Sequence, residues 1–276
     1  MDFIIDDDNY KMVIDQVLDG NRLCRGLVPR DPKMQAVGYL GDLCPPMKAV
    51  DMPLIPQSEW SARIKEMEQT KSRLSDIRRN ARGNGRHFEA LDQNGQGYCW
   101  AYAATGGVML LRAAANMPYV RLSAHAIACK IKNFRDEGGW GALALEYIIN
   151  HGVPSVEAWK EKSMDRSNDR PETWVDAAGN KVTESWMDLE APIYDRDMTF
   201  AQMMTCLLNR MPVICDFNWW GHAVVAMDPV EVERGSFGVR ILNSWKDSWG
   251  DLGEGVLRGN KAIADNAVAP RVVTAA

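Results

Sequence analysis

Cys99 stands in LDQNGQGYCWAYAATGG, residues 91–107, between glycines and a small-residue stretch that reads as the start of a helix. A thiol becomes a nucleophile at neutral pH when its thiolate is stabilised, by a helix N-terminus or by an adjacent imidazolium. The first is at hand; for the second the chain offers four histidines. His87 precedes the motif in a loop. His125 falls inside a helical pattern as a core or surface residue, and His151 occupies a helix C-terminal stop, where a cation is favoured. His222 differs: it follows NWWG and opens the apolar strand HAVVAM, so a rigid element would hold its ring as a general base requires. Alone, it is equally a satisfied structural histidine. Asn243 ends the strand GVRIL in NSWKDSWGDLGEG, and Trp245, two residues on, is placed to shield an Asn–imidazole hydrogen bond from water. An Asn orients the ring without neutralising its charge. Taken alone, an Asn at a strand end is more simply a turn former.

The elements that must position these groups are legible in outline. Residues 1 to about 58 contain LVPRDP, CPPMK and MPLIPQ, prolines that prevent long helices and favour an extended arm lying on something else. SEWSARIKEMEQTKSRLSDIRRN then places Trp60, Ile64, Met67, Leu74 and Ile77 on one helical stripe, with Ser58 as its cap. A glycine-broken linker, ARGNGR, follows. Helices are predicted from Cys99 to about Met117, over YVRLSAHAIACKI, and over GALALEYIINH, which stops at Gly152. Residues 160–197 give no clear pattern apart from a turn at DAAGNK. MTFAQMMTCLLNRMP predicts one more helix, and VICDF, HAVVAMD, GVRILNSW and GEGVLRG predict strands. Helices first and strands afterwards indicate an α+β protein of two lobes. The expected division is an arm and helix over 1–85, a helical lobe with Cys99 over 86–165, and a β-rich lobe with His222 and Asn243 over 166–276.

DQNGQGYCWAYAATG, LSAHAIACKI, EGGWGALALEYIINHGV, GHAVVAM and ILNSWKDSWGDLGEG, in that order, resemble the papain-like cysteine peptidases over roughly residues 91–257. His222 and Asn243 follow Cys99 by 123 and 144 residues, close to the about 130–150 of that family. The resemblance implies a papain-like fold in which a helical lobe precedes an antiparallel β lobe. It implies Cys99 as nucleophile, His222 as proton acceptor and donor, and Asn243 as the amide that orients the ring. Gln93 matches the glutamine whose side-chain NH₂ forms an oxyanion hole with the Cys99 backbone N–H. Gly138 and Gly139, with Trp140 beside them, match the strand that binds an extended substrate backbone. Gly221 and Ala223 match residues lining the pocket for the second substrate side chain, and Trp245 and Trp249 the tryptophans of the asparagine motif.

The pattern is broken at several points. Gln96 stands where the family commonly has a disulfide cysteine, Tyr98 replaces a small residue and is expected to crowd the cleft, and only nine residues separate Pro212 from His222. The first 85 residues lack the helix pattern of many papain-family prosegments, so they read either as a prosegment or as a docking arm for a protein partner such as a phage particle. The leading function is a thiol endopeptidase acting on polypeptides through a Cys–His–Asn triad and an acyl-enzyme. The alternative is a papain-like fold serving as a structural or binding component, for example of a phage virion, with weak or no turnover. Transglutaminase-like acyl transfer is disfavoured, since it completes its triad with Asp.

Of 276 residues 46% are hydrophobic and 25% charged, and the formal net charge is −5, so a folded core is affordable and a nucleic-acid partner is not indicated. The six cysteines form no C-x-x-C pair; the five besides Cys99 read as small buried hydrophobes in a reducing, cytoplasmic or virion, setting. Neither a metal nor an organic cofactor is expected. The N-terminal MDFIIDDDNYK reads as no secretory signal, and no apolar window reaches the length of a membrane span.

Overall fold

The computed structural model describes residues 2–14, 16–18, 21–29, 53–93, 95–181, 183–189 and 195–272. The proline motif CPPMK and the second half of LVPRDP lie outside the described residues. The described part of the arm is extended in the main, with a short strand β1 (Ile4–Ile5), one helical turn α1 (Lys11–Ile14) and a small hairpin of β2 (Val17–Leu18) and β3 (Asn21–Arg22). The single amphipathic helix expected next is instead two, α2 (Gln57–Thr70) and α3 (Leu74–Asn80). Lys71 adopts a left-handed conformation, φ 52°, and its N–H closes back on Glu68 O, so the chain turns before the stripe resumes at Leu74. Ser58 does not cap α2; the helix begins one residue earlier, behind Pro56, with no side-chain cap bond.

The helices α4 (Cys99–Ala114), α5 (Ala124–Ile131) and α6 (Gly141–His151) follow, α6 ending at Gly152 with φ 77°; α5 is shorter than the predicted 119–131, since the chain before it is extended and Leu122 bridges to Ser155. The segment without clear pattern holds α7 (Pro171–Gly179) and strand β4 (Thr183–Asp188); the expected DAAGNK turn is largely the end of α7. After α8 (Arg196–Leu208) come β5 (Val213–Phe217), β6 (His222–Glu233), β7 (Ser236–Leu242), β8 (Glu254–Arg258) and β9 (Asn266–Val272). Among the described residues these build one sheet in the order β1-β8-β7-β6-β5-β9-β4, antiparallel except where β1 joins β8. The protein is thus an α+β molecule.

Successive side chains of β5 and β6 go to opposite faces and both faces are buried, which is why these strands read as unbroken apolar runs. Ile214, Ala223, Val225 and Met227 join the apolar cluster of α4, α5 and α6. Val213, Cys215, Phe217, Val224 and Ala226 join a second cluster with α8, Trp60, Ile64 and Met67 of α2, and Ile5 and Val13 of the arm. A buried ion network fastens α3 to the β-rich part. Arg78, fully buried, reaches Glu254 at 2.6 Å, Asp247 at 3.3 Å and the Leu252 carbonyl at 2.9 Å. Asp247 also accepts from the Ala90 N–H at 2.7 Å and meets His87 Nε2 at 2.7 Å, so His87 belongs to this network.

Candidate active site

Cys99 is the first residue of α4, with Tyr98 at the N-cap, so its sulfur sits at the positive end of a sixteen-residue helix. The backbone N–H groups of Ala223, Gly26 and Trp100 point at that sulfur. His222 opens β6 immediately before Ala223. The antiparallel register pairs Val225 with Leu242, and continued by three residues on each strand it sets Trp245 opposite His222. The two rings stack, centroids 4.4 Å apart and 24° from parallel. Asn243, just past the end of β7, faces the other ring edge: its Oδ1 lies 2.8 Å from His222 Nε2. That Oδ1 also accepts from the Ser244 N–H at 2.8 Å. Nε2 therefore carries the proton it donates, and Nδ1 is the nitrogen with a free lone pair. Among the described residues Nδ1 has no hydrogen-bond partner.

Gln93 is held on three sides. Its Oε1 accepts from Ser244 Oγ at 2.6 Å, its Nε2 donates to the Gln96 carbonyl at 2.7 Å, and its own N–H donates to the Ser244 carbonyl at 3.0 Å. The remaining Nε2 proton reaches a peptide carbonyl, that of Cys24, at 2.9 Å, and Trp245 Nε1 lies 3.3 Å from the same oxygen. The sequence reading missed Ser244, whose one available signal was its place between Asn243 and Trp245.

The occupant of the groove is the arm. Residues 24–28 run through it: Gly26 O accepts from the Gly139 N–H at 2.9 Å, Val28 N–H donates to Gly139 O at 2.9 Å, and Leu27 N–H donates to Gly221 O at 3.3 Å. Leu27 and Gly139 pair in parallel. Arg25 anchors the segment with Nη1 on the Trp220 carbonyl at 2.9 Å and Nη2 on the Ile14 carbonyl at 3.0 Å. The fit is close: a Cβ on Gly26 would lie 1.9 Å from Gly97 O, and one on Gly138 would lie 2.6 Å from Gly26 O. A Cβ on Gly139 would strike the Trp100 indole at 2.7 Å, so that glycine is required by packing as well as by access. Trp140 adjoins this strand, with Lys132 Nζ 5.7 Å from its ring centroid. Tyr98 does not crowd the groove. Its ring is buried and its hydroxyl donates to the Arg135 carbonyl at 2.9 Å.

Covered in this way, Cys99 and His222 are both fully buried. Burial pushes the Cys99 thiol up to about 12, against the lowering effect of the N–H groups around it. Burial pushes the His222 imidazole down to about 3, offset in part by the Asn243 hydrogen bond. The pair is held as thiol and neutral imidazole.

The descriptor of papain family cysteine proteases matches residues 75–271. The chain belongs to that family and is a cysteine peptidase. Zingipain-1 of Zingiber officinale is 24% identical over 197 residues, 67% of this chain and 87% of that protein. Xylellain from Xylella fastidiosa superposes with TM-score 0.59 at 16% identity, covering 94% of this chain and all of the other. Procathepsin L 3 of Tenebrio molitor does so with TM-score 0.53 at 16% identity, covering 88% and 100%. The Ananas comosus bromelain, solved with the inhibitor E64, gives TM-score 0.51 at 20% identity over 67% of this chain and 93% of its own. These likenesses bear out the papain-like α+β fold. No described helix is long and apolar enough to cross a membrane, and among the described residues no group of three His, Cys, Asp or Glu side chains is disposed to hold a metal ion.

Proposed function

We propose that this cysteine peptidase is an endopeptidase that works through Cys99, His222 and Asn243, with Gln93 in the oxyanion hole, and that its own arm keeps it latent. The observation that carries the reading is a peptide carbonyl on Gln93: the Cys24 oxygen accepts from Gln93 Nε2 at 2.9 Å, while two residues on the Gly26 N–H faces the Cys99 sulfur. With the groove open, proton transfer from Cys99 to His222 Nδ1 gives a thiolate at the helix N-terminus and an imidazolium braced by Asn243. The thiolate attacks the carbonyl carbon of a peptide, and the oxygen takes the negative charge toward Gln93 Nε2–H and the Cys99 N–H. His222 returns its proton to the leaving amine as the C–N bond breaks, leaving a thioester on Cys99. Water, losing a proton to His222, then attacks the thioester and frees the acid. Gly139 and Gly221 would pair with the substrate backbone as they do with the arm, and Trp140 and Ala223 would border it.

The arm sits as an occupant rather than as a substrate, since it offers the sulfur the Gly26 N–H, a donor. Residues 1–85 are then a regulatory arm and helix pair, with 86–165 carrying Cys99 and 166–276 carrying His222 and Asn243. Cys24, Cys99, Cys129 and Cys206 are free thiols, which supports a reducing compartment. A second reading, a papain-like fold kept as a binding or structural protein, is favoured by the covered groove alone. Labelling with an irreversible peptide-like epoxide separates the two, read by intact mass on the wild type, Gly26→Ala, Cys99→Ala and His222→Ala. The protease reading expects slow labelling of the wild type, stoichiometric labelling of Gly26→Ala together with peptide hydrolysis, and none when Cys99→Ala or His222→Ala is added. A folded Gly26→Ala chain that neither labels nor hydrolyses would leave the binding reading standing.

A further inference from the structure

The loop that carries Gln93 and leads into Cys99 contains Gly95, at φ 79°, and Gly97. Where the resembling family commonly places a disulfide cysteine, this loop has Gln96, and nothing covalent ties it down. A hydrogen-bond chain takes that place. The Tyr102 hydroxyl, on the first turn of α4, lies 2.5 Å from His125 Nδ1, and His125 Nε2 meets Gln96 Oε1. The polarity is fixed by the ends. Gln96 Oε1 can only accept, so Nε2 carries the ring proton, and Nδ1 accepts the Tyr102 O–H. His125 is buried, and burial pushes it down to about 4, with Glu161, Lys162 and Asp92 the charged groups that act on it. It is a neutral strut at physiological pH. Tyr98 lies edge-on to the same ring, centroids 5.3 Å apart. The Gln96 amide nitrogen rests on Met164 Sδ, and the Gly97 N–H on Asp136 at 2.8 Å.

The strut reaches the site through one atom. The Gln96 carbonyl oxygen accepts from Gln93 Nε2, so the position of Gln96 sets the direction in which the other Nε2 proton points. We infer that His125 is a positioning residue for the oxyanion hole: with Tyr102 it holds Gln96, and through the Gln96 carbonyl it aims the Gln93 amide. This rests on the reading of Gln93 as an oxyanion donor.

The test is read on the full-length chain by hydrogen exchange of the Gln93 side-chain amide protons in ¹⁵N-labelled protein. His125→Ala is compared with wild type, with His125→Gln, whose amide N–H can still reach Gln96, and with Val239→Ala, a core truncation in the other cluster that loses stability without touching the loop. Loss of about one hydrogen bond predicts exchange about tenfold faster in His125→Ala than in Val239→Ala, and restoration in His125→Gln to within about threefold of wild type. Should His125→Ala not fold, Tyr102→Phe removes only the hydroxyl and is expected to give a smaller acceleration in the same protons. Exchange in the folded His125 or Tyr102 variant equal to that of the control would overturn the inference. Peptide-ester turnover, measured with Gly26→Ala added to each chain, reports separately: kcat should fall with His125→Ala at little changed KM and recover with His125→Gln. A Gly26→Ala chain that is inactive while Gln93 exchange still depends on His125 would sink the protease reading and not the positioning one.

Discussion

Replacing Gly26 by Ala tests the covered groove most directly. The added Cβ would lie 1.9 Å from Gly97 O and 2.2 Å from Gly97 C, against about 3.5–4.0 Å for comfortable contact between carbon atoms. Both are backbone atoms of the loop beside Cys99, so neither can swing aside, and the arm segment must leave instead. What it gives up are hydrogen bonds to Gly139, Gly221 and Gln93, each worth about 1 kcal/mol net. The gain is in the thiol. At a pKa of about 12, about one Cys99 in 100,000 is ionised at pH 7; at the ordinary value of 9.0 it is about one in 100. Full relief of burial therefore predicts a rise of about 1,000-fold in Cys99 alkylation by iodoacetamide at pH 7, and partial relief a rise of at least about tenfold. Release of His222 from burial would add to this by supplying an imidazolium. The rate is read by peptide mapping, so that Cys24, which is partly exposed, is counted apart. Gly179→Ala, whose Cβ would meet nothing within 4 Å, is the control. A folded Gly26→Ala chain alkylated at Cys99 no faster than the wild type would refute the account of burial by the arm.

In the Gly26→Ala chain, adding Gln93→Ala is expected to lower kcat about 100- to 1,000-fold with little change in KM, and a fall of less than about threefold would remove Gln93 from the oxyanion hole. Arg78→Ala leaves Glu254 buried without its closest partner, so denaturant unfolding should show a loss of about 3–5 kcal/mol, and a loss below about 1 kcal/mol would argue against the network's role. Asp228 is raised by burial from 3.8 to about 6, against the lowering by Ser75 and Arg240. It binds its proton more tightly folded than unfolded, so its stabilisation is complete below pH 3.8 and is lost as pH rises through about 6. The gap corresponds to about 3 kcal/mol, and Asp228→Asn should gain on the wild type by that order between about pH 4 and pH 7 in denaturant titrations. A stability difference that stays constant over that range would refute it.

The candidate residues were legible because each is announced locally: a thiol at a small-residue helix start, a histidine opening an apolar strand, an asparagine closing the next one. Pairing of Val225 with Leu242 then does what alternation implies and brings His222 to Trp245 and Asn243. The arm's path was not legible. It depends on Leu27 meeting Gly139, a pairing over more than a hundred residues of chain for which LCRGLV carries no periodic signal. Gly26 looked like any loop glycine, although the close approach of Gly97 requires it. The break at Lys71 escaped because a lysine in left-handed conformation has no composition cue, while the stripe from Trp60 to Ile77 continues in phase across it. Strand β9 was missed for a related reason: NAVAPRV pairs on both sides yet contains Pro270 and small residues that do not advertise a strand.

The arm's own beginning is fastened elsewhere. β1 pairs with β8 at the sheet edge, and Asp2 and Asp6 meet Arg240 and Arg258 at 2.9 and 2.8 Å. On the far side of the groove segment the chain continues into α2 and α3, locked to the sheet by Arg78. The groove segment is therefore tethered at both ends, and its effective concentration beside Cys99 exceeds what a free peptide of the same sequence reaches in solution. A single cut between residues 29 and 53 removes one tether and leaves the other, so nicking alone lowers that local concentration without dismissing the peptide. Complete departure of the segment, as distinct from its local displacement, requires the edge strand to peel away as well, so the sheet margin, some distance from the chemistry, sets how far the arm can leave.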